Sequence, residues 1–96
     1  LIDCLTLWIN NLLYHRPAIS EAEVKALVMD TFSALSPHTA GKIIVVTNEV
    51  GLGIVPADSL TRKYRDLVGM ANQILGQLAQ QVILVSCGIP LFLKGK

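Results

Sequence analysis

The sequence predicts an α/β fold, a three-layer domain with helices packed on a mostly parallel sheet. Two observations carry this reading. Short aliphatic runs, Leu1-Ile2, Ile43-Ile44-Val45-Val46 and Val82-Ile83-Leu84-Val85, alternate with segments of helical apolar periodicity. The middle run holds four consecutive aliphatic residues with no polar alternation, as expected of a parallel strand covered on both faces.

Each element has its own local signal. Leu1-Ile2-Asp3 reads as the end of a strand that begins upstream. A helix follows from about Cys4 to Tyr14. Its residues Leu5, Trp8, Ile9, Leu12 and Leu13 share one face. His15-Arg16-Pro17 ends it, because the residue before a proline is pushed away from helical angles. The second helix opens on a capping box, Ser20 with Glu23, and on a hydrophobic staple, Ile19 with Val24. Its core face is Val24, Leu27, Val28, Phe32 and Leu35. Ser36-Pro37 stops it, and a polar loop runs to Gly41. Lys42 to Thr47 is a strand, and Asn48 to Ala57 is a loop. Asp58 or Ser59 caps a long third helix that reaches about Gln80. Its core face runs through Leu60, Tyr64, Leu67, Val68, Ala71, Ile74, Leu75 and Leu78. On the same helix Arg62, Arg65, Gly69, Asn72 and Gly76 form a second stripe. Its glycines either admit a close neighbour or are tolerated surface positions. Val82 to Ser86 is a strand, Cys87-Gly88 a turn, and Ile89 to Leu93 an antiparallel return. Pro90 cannot donate to a ladder, so this last strand is an edge.

Composition narrows the function classes. The 96 residues fall below the roughly 100–200 of an average domain, so the chain reads as one part of a single domain. Apolar residues reach 52% and charged residues only 16%, against about 25% in ordinary globular chains. Small domains need more polar surface, so protein outside the chain is expected to cover some of this apolar area. Intrinsic disorder is excluded. Two cysteines, Cys4 and Cys87, do not make a disulfide scaffold and read as reduced thiols. A net charge of +1 gives no electrostatic case for nucleic acid or an anionic membrane. Residues 67–93 carry no charge, but glutamines and Asn72 interrupt the first half. The run Val82 to Leu93 is too short for a span of about 20 residues. No signal peptide is visible, and the expected compartment is the cytoplasm.

Ligands of open α/β sheets bind beyond the carboxyl ends of the strands. Asp3 occupies such a place. An acid there holds Mg²⁺ or a nucleotide in phosphate-binding proteins, or else caps the following helix. Thr47-Asn48-Glu49-Val50-Gly51-Leu52-Gly53 occupies another, either a binding loop or a structured one. It is neither a dinucleotide fingerprint nor a Walker A loop. Arg62 and Arg65 follow it closely; they suit phosphate or carboxylate, or they form a solvated or ion-paired helix face. Lys63 and Asp66 are placed to pair within the helix. His15 and His38 lie in loops beside prolines, without metal-ligand spacing or a nucleophile motif.

The run Thr47 to Pro56, followed by Leu60, Arg62, Tyr64-Arg65-Asp66, Gly69 and Asn72-Gln73, resembles the bifunctional adenosylcobinamide kinase / adenosylcobinamide-phosphate guanylyltransferase family. Asp3-Cys4-Leu5-Thr6 with Trp8 and Asn11-Leu12-Leu13 resembles it too. So does the ending Val82-x-Leu84-Val85 with Gly88-Ile89-Pro90 and Leu93-Lys94. The likeness covers nearly the whole chain and is weakest over residues 15–40. It implies a RecA-like P-loop fold, usually a homotrimer, that acts in adenosylcobalamin biosynthesis. Such an enzyme phosphorylates adenosylcobinamide with ATP or GTP, with Mg²⁺ expected. It then transfers GMP from GTP, through a guanylylated histidine, to give adenosylcobinamide-GDP.

The resemblance places the family's P-loop and nucleophilic histidine in an amino-terminal half outside this chain. Residues 1–96 are therefore expected to be the carboxy-terminal portion of the domain, inactive alone. Asp3 matches the family's acid after the central strand and is the nucleotide-binding residue it implies. Asn48 and Glu49 are assigned by position to the rim of the site, and Arg62 and Arg65 to phosphate or a neighbouring subunit. Two other readings stand beside this one: a non-catalytic piece that assembles through its apolar faces, and part of a different P-loop kinase.

Overall fold

In the first helix the apolar face and the observed burial coincide. The computed structural model describes residues 1–35 and 41–95, and there α1 spans Leu5–His15 with Leu5, Ile9 and Leu13 buried. Strand β1, Ile2–Asp3, precedes it. His15, expected in the loop, is the last helical residue and stands edge-on to Tyr14 at 5.2 Å. Helix α2 spans Glu21–Leu35 behind the expected capping box. The Glu23 amide donates to Ser20 Oγ at 3.1 Å, and the Ser20 amide donates back to Glu23 Oε1 at 3.3 Å. Both staple residues, Ile19 and Val24, are buried. The expected stop at Ser36-Pro37, His38 and the loop before Gly41 lie outside the described residues.

After the short strand β2, Val45–Val46, and a 3₁₀ turn at Val50–Leu52 comes helix α3, Ser59–Leu78. Asp58 is its N-cap, accepting the Thr61 amide at 3.0 Å. Leu67, Val68, Ala71 and Ile74 face inward as expected, whereas Leu60 and Leu78 at the ends are about half exposed. The three helices share one core. Leu5, Ile9 and Leu13 meet Val24, Val28 and Phe32 from α2 and the inner face of α3. Trp8 closes it edge-on against Phe32, with ring centroids 6.2 Å apart. Ile2 and Val45 pack against the core from the strand side.

The sheet departs from expectation. Strand β1 pairs with β2 in parallel, Ile2 opposite Val45 and Asp3 opposite Val46. Of the expected strand Lys42 to Thr47, only Val45–Val46 enters the ladder, because β1 offers it just two residues. Ile43, Ile44 and Val46 stay exposed, so the described residues do not supply the expected cover on both faces. Strand β3, Val82–Ser86, does not join this pair; it forms a separate antiparallel hairpin with β4, Ile89–Lys94. The described chain is thus α/β, with one parallel and one antiparallel strand pair in place of a single mostly parallel sheet.

The hairpin turn has positive φ at Cys87 and Gly88, as a tight type I′ connection requires. Pro90 lies opposite Val85 in a two-stranded sheet, where both strands have an open edge. Lys94 Nζ anchors the hairpin to the end of α3 through the carbonyls of Gly76, 2.9 Å, and Gln77, 3.1 Å.

Candidate functional site

Parallel pairing puts the carboxyl ends of β1 and β2 at one edge. Asp3 lies opposite Val46, so the chain leaves β1 into α1 beside the point where Thr47 leaves β2. Both sequence-assigned places beyond a strand therefore fall on the same edge.

A line of side-chain hydrogen bonds crosses that edge. The Thr47 hydroxyl donates to Asn72 Oδ1 at 2.6 Å, and Asn72 Nδ2 donates to the Asn48 carbonyl at 3.0 Å. Asn48 Nδ2 donates in turn to Thr6 Oγ1 at 3.2 Å. Thr6 is buried in the first turn of α1. Its hydroxyl also lies 3.0 Å from Cys4 Sγ, and its carbonyl accepts the Tyr64 hydroxyl at 3.4 Å. Burial first, then the nearby Cys4, pushes the Tyr64 phenol above its ordinary value, so it stays a protonated donor. The first turn of α1, the loop after β2 and the middle of α3 are thereby tied together.

The arginines hold the rest of the loop. Arg65 Nη2 donates to the Gly51 carbonyl at 2.5 Å. Arg62 Nη1 donates to the carbonyls of Pro56, 3.0 Å, and Ala57, 2.5 Å. These bonds run along a loop whose only regular backbone is the 3₁₀ turn, closed by Leu52 N–H to the Glu49 carbonyl. Lys63 reaches away to the Pro17 carbonyl at 2.7 Å instead of pairing with Asp66. Beside Gly51 and Arg65 an open depression of about 380 Å³ runs over Gly69 and Gln73.

The assigned residues fare differently. Asp3 is exposed at the edge. The N-cap of α1 is Cys4, without a side-chain cap bond, so Asp3 does not cap that helix. Asn48 is exposed at the same edge, with its side-chain amide and its carbonyl both engaged. Glu49 is exposed and starts the 3₁₀ turn. Arg62 and Arg65 meet loop carbonyls, a use not among those read from the sequence, which were phosphate or carboxylate, a neighbouring subunit, and a solvated or ion-paired helix face. A Cβ built on Gly69 or Gly76 would meet nothing within 4 Å, so among the described residues nothing fills the side-chain space at either glycine, although Lys94 bonds the Gly76 carbonyl. Thr6 and Asn72 were not singled out as site residues. The available signals were a hydroxyl inside an apolar helical face and an amide in the Arg-Gly stripe.

Residues 1–93 match the profile of the family described as cobinamide kinase / cobinamide phosphate guanyltransferase. The chain belongs to this family. The resemblance carried by Thr47 to Pro56 is thus borne out. Among curated relatives, the bifunctional adenosylcobalamin biosynthesis protein CobP of Pseudomonas aeruginosa is 39% identical over 97 residues, covering 100% of this chain and 53% of the relative. The bifunctional adenosylcobalamin biosynthesis proteins CobU of Escherichia coli and Salmonella typhimurium are 35% and 34% identical, each over 98% of this chain and 57% of the relative. The chain spans about half the length of the curated relatives it matches. Every residue of the polar line falls within the family match. No described helix is long and apolar enough to cross a membrane.

Proposed function

We propose that this chain forms the nucleotide-facing edge of a bifunctional kinase and guanylyltransferase of adenosylcobalamin biosynthesis. In the first reaction the aminopropanol hydroxyl oxygen of adenosylcobinamide attacks the γ-phosphorus of ATP or GTP. The bond to the bridging oxygen breaks, a nucleoside diphosphate leaves, and the hydroxyl proton is released. In the second, a histidine nitrogen attacks the α-phosphorus of GTP and expels pyrophosphate. The phosphate of adenosylcobinamide phosphate then takes the guanylyl group, giving adenosylcobinamide-GDP and free histidine. The observation that carries this reading is the edge itself: Asp3 stands beside a Thr47-Asn48 loop held in place by two helices, α1 and α3, in a chain of this family.

Residues 1–96 then make up the carboxy-terminal portion of one RecA-like P-loop domain, its remaining strands completing a three-layer sheet in the cytoplasm. The exposed apolar residues of β2, β3 and β4 support this, since faces of this kind are ordinarily covered. Sister subunits of a homotrimer would cover part of them. The P-loop and the nucleophilic histidine belong to the rest of the domain; His15 ends a helix and has no role in this scheme.

Among the described residues no three His, Cys, Asp or Glu side chains come together. Asp3 alone still fits Mg²⁺, which keeps several waters and is commonly held by one or two carboxylates with substrate phosphates. When bound, the ion supplies charge neutralisation at the transferring phosphoryl group.

The test is covalent labelling by GTP carrying the label in its α-phosphate. The protein as its gene encodes it should take up the label, and the isolated 96-residue chain should not. Label on the isolated chain would place the nucleophile within it and overturn this division of roles. A gene lacking a Gly-Lys-Ser/Thr loop and a histidine downstream of it would remove the basis of the proposal.

A further inference from the structure

We propose that Asn72 is a positioning residue of this site: from the middle of α3 it sets the loop after β2 against the β1–α1 junction that carries Asp3. The inference rests on the function proposed above. Its basis is the bonding pattern of one amide. Asn72 Oδ1 accepts the Thr47 hydroxyl at 2.6 Å, and Nδ2 donates to the Asn48 carbonyl at 3.0 Å. A flipped amide would set its oxygen against that carbonyl, and a carbonyl has no proton to give. The orientation is therefore unique, and two consecutive loop residues are held in one geometry.

The hold passes on to Asp3 through Asn48. With its carbonyl fixed by Asn72, Asn48 extends Nδ2 to Thr6 Oγ1 at 3.2 Å. Thr6 is buried in the first turn of α1, which follows Asp3 after the single N-cap residue Cys4. The strands supply little of this alignment, because their ladder is only two residues long. Among the described residues, α3 is the longest element, at 20 residues, and it is buried through its middle. A rigid helix thus sets the spacing between the two strand ends. Displacements near 1 Å at reacting groups cost roughly a hundredfold in rate.

The experiment uses the protein as its gene encodes it and measures kcat and KM for nucleotide-dependent phosphorylation of adenosylcobinamide. Asn72→Asp keeps the size and the acceptor but turns the donor into an oxygen facing the Asn48 carbonyl. Its kcat should fall by roughly tenfold to a hundredfold, with the nucleotide KM changed by less than about twofold. Thr47→Val should fall in the same way, and Thr47→Ser, which restores the hydroxyl, should recover most of the loss. Ser20→Ala is the stability control: it removes the cap of α2 and should leave kcat unchanged. The proposal is overturned by wild-type kcat in Asn72→Asp, by a rise in KM at constant kcat, or by activity that falls only as the folded fraction falls. An equal loss in Ser20→Ala also overturns it. A wild-type gene product that catalyses neither reaction overturns the functional reading itself, which separates the two failures.

Discussion

Replacing Thr6 by valine keeps the side-chain shape and removes only the hydroxyl, which lies 3.0 Å from Cys4 Sγ and accepts Asn48 Nδ2 at 3.2 Å. A neutral hydrogen bond contributes about 0.5–1.5 kcal/mol net. The penalty for an orphaned donor does not add to this, because Asn48 is exposed and water can take its amide. A valine methyl in this buried position recovers part of the loss, since each buried methylene is worth about 0.8 kcal/mol. Thr6→Val should therefore cost no more than about 1 kcal/mol, and its total cost is a poor diagnostic. The coupling is the sharper quantity. Asn48→Ala should cost about 0.5–1.5 kcal/mol more in the wild-type background than in Thr6→Val, and Thr6→Ser should retain most of that difference. Urea unfolding of the four proteins of the cycle reads this out. For a slope of about 1–3 kcal/mol per molar, 1 kcal/mol moves the midpoint by roughly 0.3–1 M. Equal costs of Asn48→Ala in both backgrounds would falsify the bond between Thr6 and Asn48 as a source of stability.

Ile9 is fully buried in the core that the three helices share, so Ile9→Ala should cost about 2–5 kcal/mol, read as a lower urea midpoint at unchanged slope. Hydrogen bonds from the Ser20 amide and hydroxyl, and then from Arg16, hold the Glu23 carboxyl below its ordinary value of 4.5. The stability this contributes is complete above 4.5 and is lost as pH falls through the lowered folded value. Urea midpoints of the wild type should consequently drop more steeply on the acid limb than those of Glu23→Gln. Arg65→Met removes the clamp on the Gly51 carbonyl, and amide exchange at Leu52 and Gly53 should accelerate while the amides of α3 keep their protection.

The helices were legible in the sequence because each carried its own local signals. Ser20 and Glu23 form the box that their spacing predicts, and Asp58 caps α3 through Thr61. The buried faces follow the 3.6-residue period, failing only toward the ends of α3, where Leu60 and Leu78 pass beyond the packed core. The strands were legible as strands but not in their pairing. A run such as Ile43 to Val46 says that a strand expects cover on two faces; its neighbours are set by contacts distant in sequence. At the site, the motif located the loop but not the use of its groups. Nothing in the letters separates an arginine that binds phosphate from one that binds a loop carbonyl, because the same guanidinium fork serves both.

That distinction bears on how the edge works. A loop rich in glycine, spanning Gly51 and Gly53, has much conformational freedom to lose, and a two-residue ladder cannot hold it. Here α3 supplies the restraint at three points along its length: Arg62 on Pro56 and Ala57, Arg65 on Gly51, and Asn72 on Thr47 and Asn48. These residues follow one another along the helix in the reverse order of the loop positions they hold, so loop and helix run antiparallel over this stretch. The stripe read in the sequence as Arg62, Arg65, Gly69, Asn72 and Gly76 is for most of its length the docking face for that loop. Gly69, in sequence between Arg65 and Asn72 and lining the depression, leaves a gap in it. A side chain there would project into the depression without touching the loop, so Gly69→Ala should leave the urea midpoint unchanged or raise it through helix propensity, by up to about 1 kcal/mol. A fall in the midpoint would mean that something outside the described residues already lies against that backbone.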